Sequence, residues 1–108
     1  MIMPALTAYS NTENTALVVL KQKGYQLWYE EATESYFAEK NGWDFSAESA
    51  MELLGAVAVF EHFSPEAFES YWWRKESPEL LHNLPSSPNP YSSITRYKRP
   101  DDFPGENA

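Results

Sequence analysis

The sequence predicts an α+β fold: a three-stranded antiparallel meander packed against helices, in the order α-β-β-β-α-α, with an irregular C-terminal tail. Three observations point there. Two Ser-x-x-Glu signatures, Ser10 to Glu13 and Ser49 to Glu52, stand ahead of apolar stretches and read as helix starts. Two aromatic segments, from Tyr25 and from Ser35, alternate with the two-residue period of half-buried strands. Between the second of them and Trp43 lies Asn41-Gly42, the pair best suited to a type I′ turn, whose two central residues need positive φ.

The first capping box opens a helix over 11–23, closed by Gly24 as its C′ residue, with Ala16, Leu17, Val19 and Leu20 as its buried stripe. Residues 25–30, 35–40 and 43–47 follow as strands. The second box opens a helix running to about Phe63 that is apolar almost all round and so reads as the central core element, with Gly55 and Ala56 allowing close backbone approach. Ser64-Pro65-Glu66 and Ser77-Pro78-Glu79 each supply an N-cap, a proline at N1 and a first-turn acid, which predicts short helices near 65–74 and 78–83. Residues 1–84 then form one compact domain. Residues 85–108, rich in Pro and Ser, form a tail that is partly ordered at best, with Tyr91, Ile94 and Tyr97 pinning it and Arg96, Lys98 and Arg99 lying back on acidic surface.

Bulk composition bounds the function. At 108 residues and 43% hydrophobic, the chain suffices for one domain with a modest core. Without cysteine there is no disulfide, thiolate metal site or cysteine nucleophile. No basic n-region precedes an apolar stretch at the start, and the longest apolar run, Leu53 to Phe60, falls far below the roughly 20 residues a bilayer span needs. The expectation is a cytoplasmic protein that does not enter membranes.

Charge is distributed unevenly. Residues 30–69 hold ten carboxylates against the single cation Lys40, whereas the segments on either side are nearly neutral, and the total is −8. Such a field repels nucleic-acid phosphates and anionic lipid and attracts basic proteins. The expected partner is therefore a basic protein, with no direct nucleic-acid binding, and the oligomeric state is left open.

The two-residue turn sets a register in which Lys40 faces Trp43, Glu39 faces Asp44, Ala38 faces Phe45 and Phe37 faces Ser46. Tyr36, Ala38, Phe45 and Ala47 then share a core face, and Phe37, Glu39, Asp44 and Ser46 share the other. Opposed like charges cost a few tenths to about 1 kcal/mol. Either Lys40 and solvent screen the Glu39–Asp44 pair, or the pair receives Lys or Arg from a partner around Phe37 as apolar anchor. Phe37, Glu39, Asp44, Glu30, Glu34 and Trp73 are the candidate partner-binding residues.

Other chemistry has less support. Two carboxylates can hold a divalent cation, but the sequence has no calcium-loop spacing, and neither His62 nor His82 has a second histidine at helical spacing, so no metal or cofactor is expected. His62 reads as a helix-end residue near the C-terminal dipole. In Tyr71-Trp72-Trp73-Arg74, consecutive helical residues diverge by about 100°, so one indole buries, with Phe68 aiding Trp72, and the other lies partly exposed against Arg74. There is no phosphate loop, nucleophile elbow or His-Glu-x-x-His helix, and the chain does not read as an enzyme.

The strand pair, the acidic Tyr36-Phe37-Ala38-Glu39, the short third strand and the Ser-capped helix resemble compact antitoxin domains. By that analogy of charge and size the expected function is a small acidic protein that neutralises or regulates a basic partner, as immunity proteins and antitoxins do. Two alternatives are a phosphate-mimicking inhibitor of a nucleic-acid-processing protein and an assembly subunit of an oligomer.

Overall fold

The computed structural model describes residues 4–74 and 78–95. The chain divides into two units, Ala8–Ser77 and a second made of Met1–Thr7 with Pro78–Ala108. All described helices and strands belong to the first: α1 (Glu13–Gln22), β1 (Gln26–Glu30), β2 (Ser35–Lys40), β3 (Trp43–Ala47) and α2 (Ala50–Phe63), with 3-10 turns at Ser10–Thr12 and Trp72–Arg74. The strands form one antiparallel sheet in the order β1-β2-β3, an α+β arrangement in which helix, three strands and helix follow one another as expected.

α1 ends as its sequence dictates. Gly24 takes φ +97°, Tyr25 N–H donates to Leu20 O at 3.2 Å and Gly24 N–H to Lys21 O at 3.0 Å, the paired bonds of a Schellman motif. Its start departs from the expected capping box. The Thr12 hydroxyl donates to Tyr9 O at 2.7 Å, and no side chain caps α1. Glu13 instead reaches across to α2, accepting from Ala50 N–H at 2.6 Å and Met51 N–H at 3.3 Å. The second box supplies its N-cap, with Ser49 Oγ accepting from Glu52 N–H at 3.1 Å. The positive end of α2 thus has two acceptors, one local and one supplied by α1, and Glu13 ties the helices together where orphan donors would otherwise face a partly buried junction.

Leu20, Tyr25, Ala38, Leu53 and Val57 make the buried core, with Leu27, Tyr36, Phe45, Ala47 and Leu54 packed around it. This is the inner face expected from the hairpin register. Each fully buried Leu or Val contributes about 1.5–3 kcal/mol. The two helices cover this face, and β2, central in the sheet, supplies its most enclosed residue, Ala38.

α2 is less enclosed than its apolar composition suggests. Ala50, Leu53 and Val57 are buried, but Val59 and Phe63 lie exposed on the opposite side. Gly55 faces solvent, and a Cβ added there would meet nothing within 4 Å, so the expected close backbone approach at Gly55 does not occur. The short helices expected near 65–74 and 78–83 are absent too. Ser64, at φ +44°, donates its N–H to Phe60 O at 2.8 Å and its hydroxyl to Glu61 O at 3.0 Å, so it closes α2 instead of opening a new helix. Only the 3-10 turn at Trp72–Arg74 remains of the first. Segments this short gain too few hydrogen bonds to offset nucleation.

The second unit is described over residues 4–7 and 78–95 and has no helix or strand there. Asn83 closes a turn through N–H to Leu80 O at 2.9 Å and Nδ2 to Glu79 O at 2.8 Å. Tyr91 and Ile94, expected to pin the tail, are exposed, Ile94 at 93%. Ser77, Arg96, Tyr97, Lys98 and Arg99 lie outside the described residues. Among the described residues no helix is long and apolar enough to cross a membrane.

Candidate binding surface

Two strand registers assemble the outer face of the sheet. β2 pairs Phe37 with Trp28 on one side and with Ser46 on the other, and Glu39 with Gln26 and Asp44, while Glu30 pairs with Ser35. Side-chain alternation sends all of these away from the helices. The Trp28 and Phe37 rings lie parallel, 5.2 Å between centroids at 5°, and Trp28 remains 39% exposed. A flat aromatic pair thus sits mid-sheet, with Glu39 and Asp44 along one side and Glu30 along the other.

The opposed carboxylates have a structural reason that the hairpin register alone did not reveal. Glu39 accepts from Gln26 Nε2 at 2.9 Å and from Gly42 N–H at 2.9 Å, so one carboxylate bridges to β1 and also caps the hairpin turn. Lys40, expected on one reading to screen the pair, is engaged elsewhere. On the inner side of the sheet its Nζ donates to Lys23 O at 2.7 Å and stands 5.3 Å from the Tyr25 ring centroid. Asp44 is exposed.

Of the other expected site residues, Glu30 stays on this outer face, whereas Glu34 and Trp73 lie off it. Glu30 is exposed and accepts from the Thr33 hydroxyl at 3.1 Å. Glu34 sits in the β1–β2 loop at φ +52°, its N–H bonded to Glu31 O at 3.2 Å, beyond the strand rows. Trp73 belongs to the aromatic segment after α2 and is 44% exposed. Trp72 is the indole that packs inward, 6.1 Å from Trp43, 6.0 Å from Phe60 and 6.4 Å from Phe63. Phe68 does not assist it and is 74% exposed, and Arg74 lies over Tyr71 at 4.4 Å, not over an indole. Tyr71 itself adopts φ +55°, a left-handed conformation unusual for an aromatic residue, and this reversal sets the turn that sends Trp72 in.

Between β3 and this segment runs an open groove of about 880 Å³. It is lined by Gly42 to Ser46 of β3 and its turn, by Ala56 and Val59 of α2, and by Glu66, Phe68, Trp72 and Trp73 of the segment that follows. Sequence reasoning missed both Trp28 and this groove. Trp28 was within reach through its two-residue spacing from Gln26 and Glu30. The groove was not, because the helix expected at 65–74 would have placed those aromatics differently.

The acids do not all share one surface. Glu61 lies on α2, where Lys23 Nζ approaches to 2.7 Å and the Tyr25 hydroxyl donates at 3.2 Å. The hydrogen bond from Lys23 holds the Glu61 carboxyl below the ordinary 4.5. Burial, reinforced by the charge and hydrogen bond of Glu61, pushes the Tyr25 phenol up to about 12. His62 lies in the last turn of α2, as expected, and its ring packs edge-on against Phe63. Among the described residues no three His, Cys, Asp or Glu side chains converge to hold a metal ion. Compared with known proteins, the chain matches no family model, no curated sequence and no solved structure.

Proposed function

We propose that this chain is a small acidic, non-enzymatic binding protein whose outer sheet face docks a basic partner protein and thereby neutralises or regulates it, in the manner of immunity proteins and antitoxins. The observation that carries this reading is the stacked Trp28–Phe37 pair, half-exposed on the sheet face away from the helices and flanked by Glu30, Glu39 and Asp44. A flat aromatic centre with a charged rim is the usual anatomy of a protein interface, in which apolar anchors supply affinity and charges supply specificity and on-rate.

Glu39 also braces the hairpin, so Asp44 is the charge to invert. The test is retention of basic proteins by the immobilised full chain at low salt, eluted by rising salt. Phe37→Ala combined with Asp44→Lys is expected to abolish retention while the circular dichroism spectrum stays unchanged. Equal retention by the variant rejects this face as the docking surface.

A further inference from the structure

The groove beside β3 borders backbone hydrogen-bonding groups that pair with no strand among the described residues. Asn41 at φ +52° and Gly42 at φ +88° make the type I′ turn, so Lys40 and Trp43 form the hydrogen-bonded pair that closes the hairpin. Antiparallel pairs alternate, which turns the N–H and C=O of Asp44 and Ser46 away from β2 and toward the sheet edge. Among the described residues no backbone hydrogen bond from the loops or from segment 64–74 reaches these groups. β3 carries neither lysine nor proline, two of the usual devices that blunt an edge. Five consecutive residues from Gly42 to Ser46 line the groove, as expected where a cavity runs along a strand edge and not over one face.

From this we infer that the groove takes up an extended segment of the basic partner as a fourth strand on β3, with side chains alternating between apolar and Lys or Arg. The inference rests on the reading of this chain as a binder of basic proteins and specifies the form in which the partner is recognised. A strand added beside Asp44 and Ser46 sends alternate side chains to opposite faces. One set enters the groove over Ala56 and Val59, against Trp72. The other set comes out beside Asp44 on the outer face, where Glu39 and Glu30 extend the negative surface. Among the described residues, Asp44 and Glu66 are the ionisable ones lining the groove and none is basic, so the complementary charge is assigned to the incoming segment. Main-chain bonds supply affinity in such strand addition and alternate side chains supply specificity.

The test uses the full chain and a fluorescein-labelled peptide, Lys-Val-Lys-Val-Lys-Val, at low salt. Its controls are the same peptide N-methylated at alternate residues and a Glu-Val counterpart. Binding is followed by fluorescence anisotropy and by amide chemical shifts. The Lys-Val peptide is expected to bind, with the largest shifts at Asp44 and Ser46, and both N-methylation and Ser46→Pro should weaken it by at least about tenfold. Ser46→Pro removes an outward N–H and also restrains φ, changes that edge strands tolerate, and the N-methylated peptide tests the same bonds without altering the protein. Equal binding of the N-methylated peptide, with shifts centred on Trp28 and Phe37, overturns strand addition and leaves the basic-partner reading intact. Equal binding of the Lys-Val and Glu-Val peptides overturns both. A concentration-dependent dimer in sedimentation that Ser46→Pro abolishes assigns the edge to a second copy and likewise overturns the proposal.

Discussion

The two faces of the sheet are built from the same five- and six-residue strands, yet they carry different kinds of free energy. On the inner face Ala38 is fully enclosed among Leu20, Leu53 and Val57, and the polar atoms at its margin are paired, Tyr25 with Glu61 and Lys40 with the Lys23 carbonyl. On the outer face Trp28 and Phe37 stack on each other, and Asp44 stays exposed. A two-residue period gives one strand an enclosed face and an open one. On the proposed reading, neighbours on β2 then differ in phenotype: changing inner Ala38 lowers stability, and changing outer Phe37 chiefly lowers partner binding.

The strongest way to break that contrast is Leu53→Ala. Leu53 is fully buried where α2 meets the sheet, and its truncation is expected to cost about 2–5 kcal/mol, read as a lower urea midpoint at unchanged slope. A cost no larger than that of Phe37→Ala would erase the distinction between the faces. Glu13→Ala comes next. It removes the acceptor of two N–H groups at the start of α2 and should cost about 1–2 kcal/mol, against almost nothing for Ser10→Ala, whose expected cap is not made.

Phe37→Ala sharpens the comparison from the other side. It forfeits an aromatic pair worth about 0.5–1.5 kcal/mol of stability, while the loss of partner affinity, measured by calorimetry on the captured protein, should exceed that. The inner margin adds a pH signature. Glu61 binds a proton less readily folded than unfolded, so its contribution is present above 4.5 and is lost as pH falls through its lowered value. Tyr25 holds its proton more tightly when folded, so stability is unaffected below 10.0 and declines as pH rises toward about 12. Tyr25→Phe should flatten the alkaline limb of the stability curve and, by removing the phenol's hydrogen bond to Glu61, weaken the acid limb slightly, since the Lys23 hydrogen bond remains the main cause of the lowered Glu61 pKa. The smallest effect has the opposite sign: Gly55→Ala, on the solvent side of α2, should raise the melting temperature through about 0.5–1 kcal/mol.

Local chemistry made much of the fold legible. Asn41-Gly42 defines the β2–β3 register because few residues tolerate two positive φ angles, and that register correctly divides Ala38 and Phe45 from Phe37 and Asp44. Ser49 and Gly24 mark helix ends because their partners lie within a few residues. The candidate surface was half legible. Phe37, Glu39 and Asp44 followed from the hairpin and the face of Trp28 from its strand period, but the pairing of Trp28 with Phe37 depends on a β1–β2 register set across the longer loop Glu31 to Glu34, for which no short turn signature exists.

The amino-acid order by itself determined the strand period, the hairpin turn, the face on which each β2 side chain falls and the concentration of acid between 30 and 69, since all of these arise from neighbours a few bonds apart. Tertiary structure alone decided that Glu13 caps α2 and not its own helix, that Ser64 closes α2 and opens no helix after it, and that Trp72 turns inward to leave a groove along the β3 edge. Each of those outcomes is a competition between a local partner and a distant one for the same donor or the same apolar contact. Only the packed arrangement sets which of the two lies within hydrogen-bonding or van der Waals reach.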